Sequence, residues 1–306
     1  MLHTYKNGNY TVFIESDGTR TKVLDANHST FVSKWPDNID CKITNWCNNS
    51  YCMQYCHEQS NPYGQHGDIE LGLQLFSTLP AGVEIAIGGG ATQKHPQLEY
   101  FLKGLKRQKL IANLTINQRH FDNVLCDKLN EWCNSNLVYG VGVSFVNHAL
   151  KAHKDFTDYN TDYVWHLIAG IHTVDDLQQI IDSCTNKPKI LILGYKEFGN
   201  GVPYFSQNNG RVKLNLMQWY QQIHKFFNKN NIISFDNLAI KQLNIRRFFD
   251  DKSWNLFYQG DDGNANMYVD LVTKTAAVSS RSSNRINIAD KSLNAAFAWV
   301  KSNSQI

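Results

Sequence analysis

The sequence has no apolar run approaching the roughly 20 residues that span a bilayer. Its N-terminal stretch, MLHTYKNGNYTVFIES, lacks the apolar core of a signal peptide. Both absences point to a soluble, cytoplasmic protein with no membrane partner. Charge of one sign is also scarce. A net charge of +3 over 306 residues gives no support for a nucleic-acid partner held by bulk electrostatics. There is no internal repeat, low-complexity tract or Pro-rich linker to mark a domain boundary. No two cysteines form a CxxC pair, which excludes a redox dithiol of that kind and a zinc site built from two such pairs.

The composition is otherwise that of a folded chain. Hydrophobic residues make up 42% and charged residues 19%, which excludes a disordered protein. At this length a full core can form, in one large domain or two. The seven cysteines, an odd number, read as thiols in a reducing compartment rather than a disulfide framework. Cys41, Cys126, Cys133 and Cys184 are scattered and read as small buried hydrophobes. Cys47, Cys52 and Cys56 are different: three thiols within ten residues of one loop, CNNSYCMQYCHEQS (47–60).

Around that loop the chain alternates strand and helix signals. Residues 9–15 and 20–25 flank Asp17-Gly18 as a β-hairpin. From Pro36 onward, strands are predicted at 39–44, 83–87, 111–115, 137–143, 163–169, 189–193 and 231–235. Helices are predicted from the Asp68 cap to about Leu79, from Pro96, over 119–134, around 148–155, from a Thr173/Asp176 capping box to Cys184, over 212–228, and from about Asn237. The strand runs read as apolar and β-branched rather than alternating, the pattern of strands buried on both faces. Repeated units of this length predict either an α/β barrel or a doubly wound sheet. Beyond residue 250, WNLFYQ (254–259) and ANMYVDLV (265–272) around GDDGN predict a second hairpin, and LNAAFAWV (293–300) a last amphipathic stretch.

Functional residues of parallel α/β folds gather at the C-terminal ends of strands. Those positions hold the three cysteines, Gly88-Gly89-Gly90, Thr115 and Asn117, Ser144 and Asn147, His166, Gly194 to Glu197, and Asp236-Asn237. Taken singly, a glycine run is a turn, an Asn is a cap and a strand His is a core residue; their common end is what draws them together. On spacing alone the cysteine loop suits an iron–sulfur cluster, a zinc ion or inert thiols. His57, directly after Cys56, is an awkward further ligand to the same ion.

Several segments together resemble the radical S-adenosylmethionine (radical SAM) family, over roughly residues 36–245. CNNSYCMQYCHEQS with GQHGD (64–68) is similar to its cluster loop, and IGGGATQKHPQLEYFLKGLK (87–106) to its Gly-rich segment. NLTINQ (113–118) is similar to its third-strand stretch; LILGYKEFGNG (191–201) and SFDNLAIKQL (234–243) resemble later segments of small stand-alone, phage-type members. Two features differ. The family's usual CxxxCxxC is CxxxxCxxxC here, with Tyr55 keeping the aromatic position, and its Gly-Gly-Glu is Gly-Gly-Gly.

The resemblance implies a partial (β/α)6-type TIM barrel of parallel strands over 36–250. An N-terminal β-hairpin (1–35) and a small C-terminal β/α extension (251–306) would complete the chain. It implies that Cys47, Cys52 and Cys56 hold a 4Fe-4S cluster whose open iron binds SAM. Reductive cleavage would give a 5′-deoxyadenosyl radical for hydrogen abstraction. Gly88, Gly89 and Gly90 would lie near the methionine moiety, Tyr55, Leu193 and Gly194 near adenine, and Thr115, Asn117 and Ser144 near the ribose or carboxylate. Candidates for substrate contact are His57, Glu58, Lys196, Glu197 and Asp236. Implied partners are a small-molecule or nucleotide-like substrate and an electron donor such as flavodoxin or ferredoxin. With no further cysteine cluster near the C-terminus, the auxiliary clusters of peptide-modifying members are not expected. The alternatives are a zinc-binding or degenerate barrel without activity, and a barrel hydrolase with incidental cysteines.

Overall fold

A computed structural model describes residues 3–15, 18–48, 50–148, 163–184, 187–228 and 230–304. The expected hairpin is present with one strand more: β1 (His3–Asn7), β2 (Tyr10–Ile14) and β3 (Arg20–Leu24) form an antiparallel sheet. Seven strands follow, β4 (Asn38–Thr44), β5 (Glu84–Gly89), β6 (Ile111–Asn117), β7 (Gly140–Ser144), β8 (Tyr163–Ile168), β9 (Lys189–Leu193) and β10 (Ile232–Phe235). They pair side by side in sequence order, all parallel.

Helices connect them: α1 (Ser50–Met53), a single turn, then α2 (Ile69–Phe76), α3 (Leu98–Arg107), α4 (Asn123–Asn134), α5 (Val174–Ser183), α6 (Gly201–Gln222) and α7 (Asn237–Gln242). Local chemistry sets their starts. The Asp68 carboxylate accepts from Leu71 N, and Thr173 and Asp176 form the expected reciprocal capping box. α6 begins eleven residues before the expected 212, and its axis kinks at Asn208. α4 begins at Asn123 rather than 119, because Asp122 caps it and Gln118–His120 form a separate 3-10 turn. The helical piece expected around 148–155 falls outside the described residues from 149 on.

The second expected hairpin is not formed. Residues Asp251–Phe257 are a helix, α8, capped by Asp250, with Phe257 stacked on Phe249 at 4.7 Å. ANMYVDLV instead supplies β11 (Asn266–Asp270), which lies parallel to β4, with Tyr268 beside Asp40. β12 (Thr275–Ala277) and β13 (Ile286–Asn287) extend that edge antiparallel, and α9 (Leu293–Asn303) closes the chain. A hairpin and a helix–strand unit share the same apolar content over so short a stretch. The free edge of β4 decides between them by offering a parallel ladder.

The strands alternate after all. Ile39, Cys41 and Ile43 of β4, Ile85 and Ile87 of β5, and Leu114 and Ile116 of β6 are buried in the apolar core. The residues between them face inward, and they are small or polar: Asp40, Lys42, Ala86, Gly88, Asn113 and Thr115. This corrects the expectation of strands buried in apolar surroundings on both faces. Branched aliphatics normally fill such an interior; here Val164, Ile168, Leu191 and Leu193 line β8 and β9, but the small and polar residues of β4 to β6 leave it hollow. The sheet curls around one cavity that inward residues from β4 to β11 all line. Among the described residues the ladder does not close between β10 and β11. Asn237 Nδ2 spans that gap, donating to Asp262 Oδ1 at 2.7 Å and to Gly260 O at 3.2 Å. The architecture is a parallel α/β sheet curved in the manner of a partial barrel.

The antiparallel sheet β1–β3 lies across the end where the parallel strands begin. Asp37, just before β4, accepts from Tyr10 Oη at 2.8 Å and Asn7 Nδ2 at 2.7 Å and pairs with Lys22 at 2.8 Å. Arg20 reaches Glu84, the first residue of β5, at 2.6 Å. That end is a closed floor, so the opposite end is the mouth.

Candidate active site

The cavity measures about 810 Å³. At its mouth the segment after β4 carries the three cysteines. Backbone bonds hold this loop at its base: Asn45 N to Gln65 O at 2.8 Å, Cys47 N to Asn61 O at 3.0 Å, and Gly67 N to Ile43 O at 2.7 Å. The turn α1 takes up the longer first gap between Cys47 and Cys52. Cys47 is buried, Cys52 and Cys56 are half-buried, and all three line the cavity. Asn117 Nδ2 donates to Cys52 Sγ at 3.6 Å. Burial pushes the Cys52 thiol up to about 12, and the nearby Cys56 and Cys47 add to the rise. Among the described residues, no three His, Cys, Asp or Glu side chains converge to hold one metal ion. His57, for its part, is engaged elsewhere, with Glu58 and Lys196.

Two of the three glycines at the end of β5, Gly89 and Gly90, are explained by this loop. A Cβ on Gly90 would sit 2.2 Å from Trp46 O, and one on Gly89, whose φ is +121°, would sit 2.4 Å from Thr44 O. Gly90 N and Ala91 N donate to Thr44 O and Trp46 O at 2.8 and 2.7 Å. The glycine segment therefore props the start of the cysteine loop. Gly88 is different: the nearest atom to a Cβ there is Thr115 Cβ at 4.0 Å, and it faces the open cavity.

Thr115, Asn117 and Ser144 line the cavity from neighbouring strands, with Asn117 beside Ser144 and Ser144 beside His166. The His166 ring lies against Gly142, where any Cβ would meet it at 2.4 Å. Burial pushes His166 down to about 4, and the Lys196 charge adds to the shift, so its ring is neutral at pH 7. Tyr55 and Leu193 also line the cavity, Tyr55 edge-on to Tyr204 at 5.5 Å. Gly194 is packed under α7, where a Cβ would meet Leu238 at 2.5 Å, and its N–H donates to Asp236 at 3.0 Å.

Of the five residues expected to contact substrate, three come together. Lys196 Nζ lies 3.1 Å from His57 Nε2 and donates to Ser280 Oγ at 3.2 Å. His57 lies 3.3 Å from Glu58, whose other oxygen pairs with Lys42 at 2.8 Å. Lys42 continues to Asp270 at 3.3 Å, and Tyr268 Oη donates to Glu58 at 3.1 Å. Burial alone would raise the Glu58 pKa, but His57 and Lys42 outweigh it and hold the carboxyl well below the usual range. Asp236 lines the cavity and caps α7 by accepting from Ala239 N at 2.7 Å; burial raises its pKa. Glu197 is exposed and does not line the cavity.

Sequence reasoning missed Asp40, Lys42, Tyr268, Ser280 and Asp270. For the first two a signal was there to use. They stand two apart in a strand otherwise apolar at Ile39, Cys41 and Ile43, the period-2 mark of one polar face. The other three lie in the C-terminal region, whose pairing to β4 no local pattern announces.

No protein-family model matches the chain, and no curated protein sequence matches it. Solved structures do. SuiB of Streptococcus suis bound to precursor peptide SuiA superposes with a TM-score of 0.60 at 11% identity, covering 87% of this chain and 65% of SuiB. SuiB bound to S-adenosylmethionine gives 0.61 at 10% identity, with 89% and 69% covered. Histidine-tagged anSMEcpe with bound AdoMet gives 0.54 at 14% identity, with 87% and 82% covered. The chain thus spans about two thirds of the length of SuiB. At these identities the likeness is one of fold.

Proposed function

We propose that the cavity is the reaction chamber of a small radical SAM enzyme. The observation that carries this reading is that Cys47, Cys52 and Cys56 line the same cavity as Gly88 and the polar ends of β6 and β7. It is supported by the fold likeness to two proteins solved with bound S-adenosylmethionine. The donor set fits a 4Fe-4S cluster. Cluster thiolates bind separate irons and need not converge on one point, and three of them leave the fourth iron to a ligand. When bound, the cluster and SAM would supply one-electron reductive chemistry for hydrogen abstraction from the substrate.

The chain's own residues bind, orient and exclude water. Cys47, Cys52 and Cys56 hold the cluster, and Asn117 steadies the Cys52 sulfur by its hydrogen bond. Gly88 leaves room for SAM against β5, with Thr115 and Ser144 offering hydroxyls from adjacent strands. Tyr55 and Leu193 supply apolar surface for the adenine. The linked groups Lys196, His57, Glu58 and Lys42 tie the cysteine loop to β4 and β9 and form one wall of the substrate space. The sheet β1–β3 covers the far end and ties it to the starts of β4 and β5. A small molecule, a nucleotide-like compound or a peptide is the substrate, and a flavodoxin or ferredoxin is the electron donor.

Anaerobic reconstitution with iron and sulfide tests the reading. About four irons per chain and dithionite-dependent SAM cleavage are expected. Cys52→Ala should lose both. Stoichiometric zinc with no brown chromophore would overturn the proposal in favour of a structural metal site.

A further inference from the structure

Among the described residues, the acidic groups of the cavity wall are occupied, with one exception. Glu84 is held by Arg20 at 2.6 Å and accepts from Asn113 at 2.8 Å. Glu58 is paired with Lys42, and Asp236 accepts two backbone N–H groups. Asp40 sits in the middle of β4 with its side chain facing the open cavity. Its side chain is exposed to the water of the chamber, and the protein around the cavity still raises its carboxyl. No hydrogen bond or ion pair joins it to any described residue. Its neighbours are the small Ala86 on β5 and Tyr268 on β11, and it faces the cavity between them. An unpaired carboxylate that faces a cavity is open to a ligand of opposite charge.

From this we infer that Asp40 is the anchor for a positively charged group of the substrate, an alkylammonium or guanidinium, that enters through the mouth and reaches the middle of the barrel. The inference rests on the reading of the cavity as the reaction chamber and deepens it by naming the substrate class. Lys196 acts on Asp40 by charge, but its hydrogen bonds go to His57 and Ser280, so the carboxylate is left for a ligand. The groups acting on Asp40 favour a visiting cation. Burial pushes its carboxyl up to about 6; Lys196 opposes this, while Glu84, Asp262 and Asp236 add to it. A bound cation relieves both the burial and the repulsion. Ala86 and Gly88 keep the approach wide enough for a substituted amine.

The test is a calorimetric titration of the full chain, without iron or SAM, with three probes of equal length: 1,5-diaminopentane, 1,5-pentanediol and glutarate. The diamine should bind about tenfold or more tightly than either competitor, the fold-change expected for one charge-assisted hydrogen-bonded pair. Asp40→Asn should bring the diamine down to the level of the diol, whereas Glu70→Gln, on the outer surface, should leave it unchanged. Should Asp40→Asn fail to fold, the unaltered chain still decides. Diamine binding should tighten as pH rises through about 6, where Asp40 ionises, and diol binding should not. Equal binding of diamine and diol, preference for glutarate, no binding of the diamine, or full binding by Asp40→Asn would each overturn the assignment. Because no cofactor is present, failure here leaves the cluster reading standing, and failure of iron loading leaves this one standing.

Discussion

Asp37 and Asp40 are three residues apart at the start and middle of one strand, yet they live opposite lives. Asp37 is 1% exposed and gathers Tyr5, Asn7, Tyr10 and Lys22 around its two oxygens. Asp40 faces the hollow, and among the described residues none makes a hydrogen bond or ion pair with it. The first carboxylate belongs to the floor, where its two oxygens are matched by donors and the interaction stabilises the fold. The second belongs to the chamber, where the fold tolerates an uncompensated charge. A buried polar group that is fully satisfied is architecture; one left open toward a cavity is equipment for a ligand.

The comparison breaks most visibly at the floor. Asp37→Ala strands the Lys22 ammonium and the donors of Asn7 and Tyr10 beneath the barrel. It should cost about 3–5 kcal/mol in urea unfolding, the range for removing one partner of a buried pair. A loss under about 1 kcal/mol would mean the floor is not held this way.

An intermediate effect separates the glycines of the mouth. Gly90→Ala forces a methyl into Trp46 O and should destabilise by about 1–3 kcal/mol. Gly88→Ala, with its nearest atom 4.0 Å away, should unfold at the same denaturant concentration as the parent. If both variants behave alike, the glycine segment does not prop the cysteine loop.

The smallest effect has the opposite sign. The Asp40 carboxyl is raised to about 6 in the folded state, against an ordinary value of 3.8. Folded protein therefore holds that proton more tightly than unfolded chain. Stability is lost as pH rises from 3.8 through 6, and nothing is lost below both values. Asp40→Asn removes the ionisation. It should melt slightly higher than the parent at pH 7.5, with the gap closing as pH falls through that window. A parent that melts higher at pH 7.5 would show that Asp40 is already compensated in the empty protein.

Much of the frame was legible. Asp68, and Thr173 with Asp176, announced their helices because capping is a contact between residues three apart. KILIL was read as a strand with its observed bounds, 189–193. The fold likeness at TM-scores of 0.54 to 0.61 agrees with the alternating strand–helix units read from the sequence. Where the reading failed, distance was the cause. WNLFYQ was taken for a strand because its aromatic content suits either state. Trp254, Phe257 and the Asp250 cap settle on a helix against Phe249. Asp40 and Lys42 carry the period-2 mark of a polar face, but only the curled sheet shows that this face lines a hollow rather than bulk solvent.

By itself, then, the sequence determined what depends on neighbours along the chain: caps, turns, strand runs, and a loop with three thiols and an aromatic at Tyr55. Tertiary structure alone decided that β11 joins β4, that Gly89 and Gly90 at the end of β5 serve the cysteine loop, and which carboxylate finds a partner. The physical reason is that satisfaction of a polar group is a matter of which distant atoms arrive beside it. Lys22 reaches Asp37 across the floor, whereas among the described residues none makes a hydrogen bond or ion pair with Asp40.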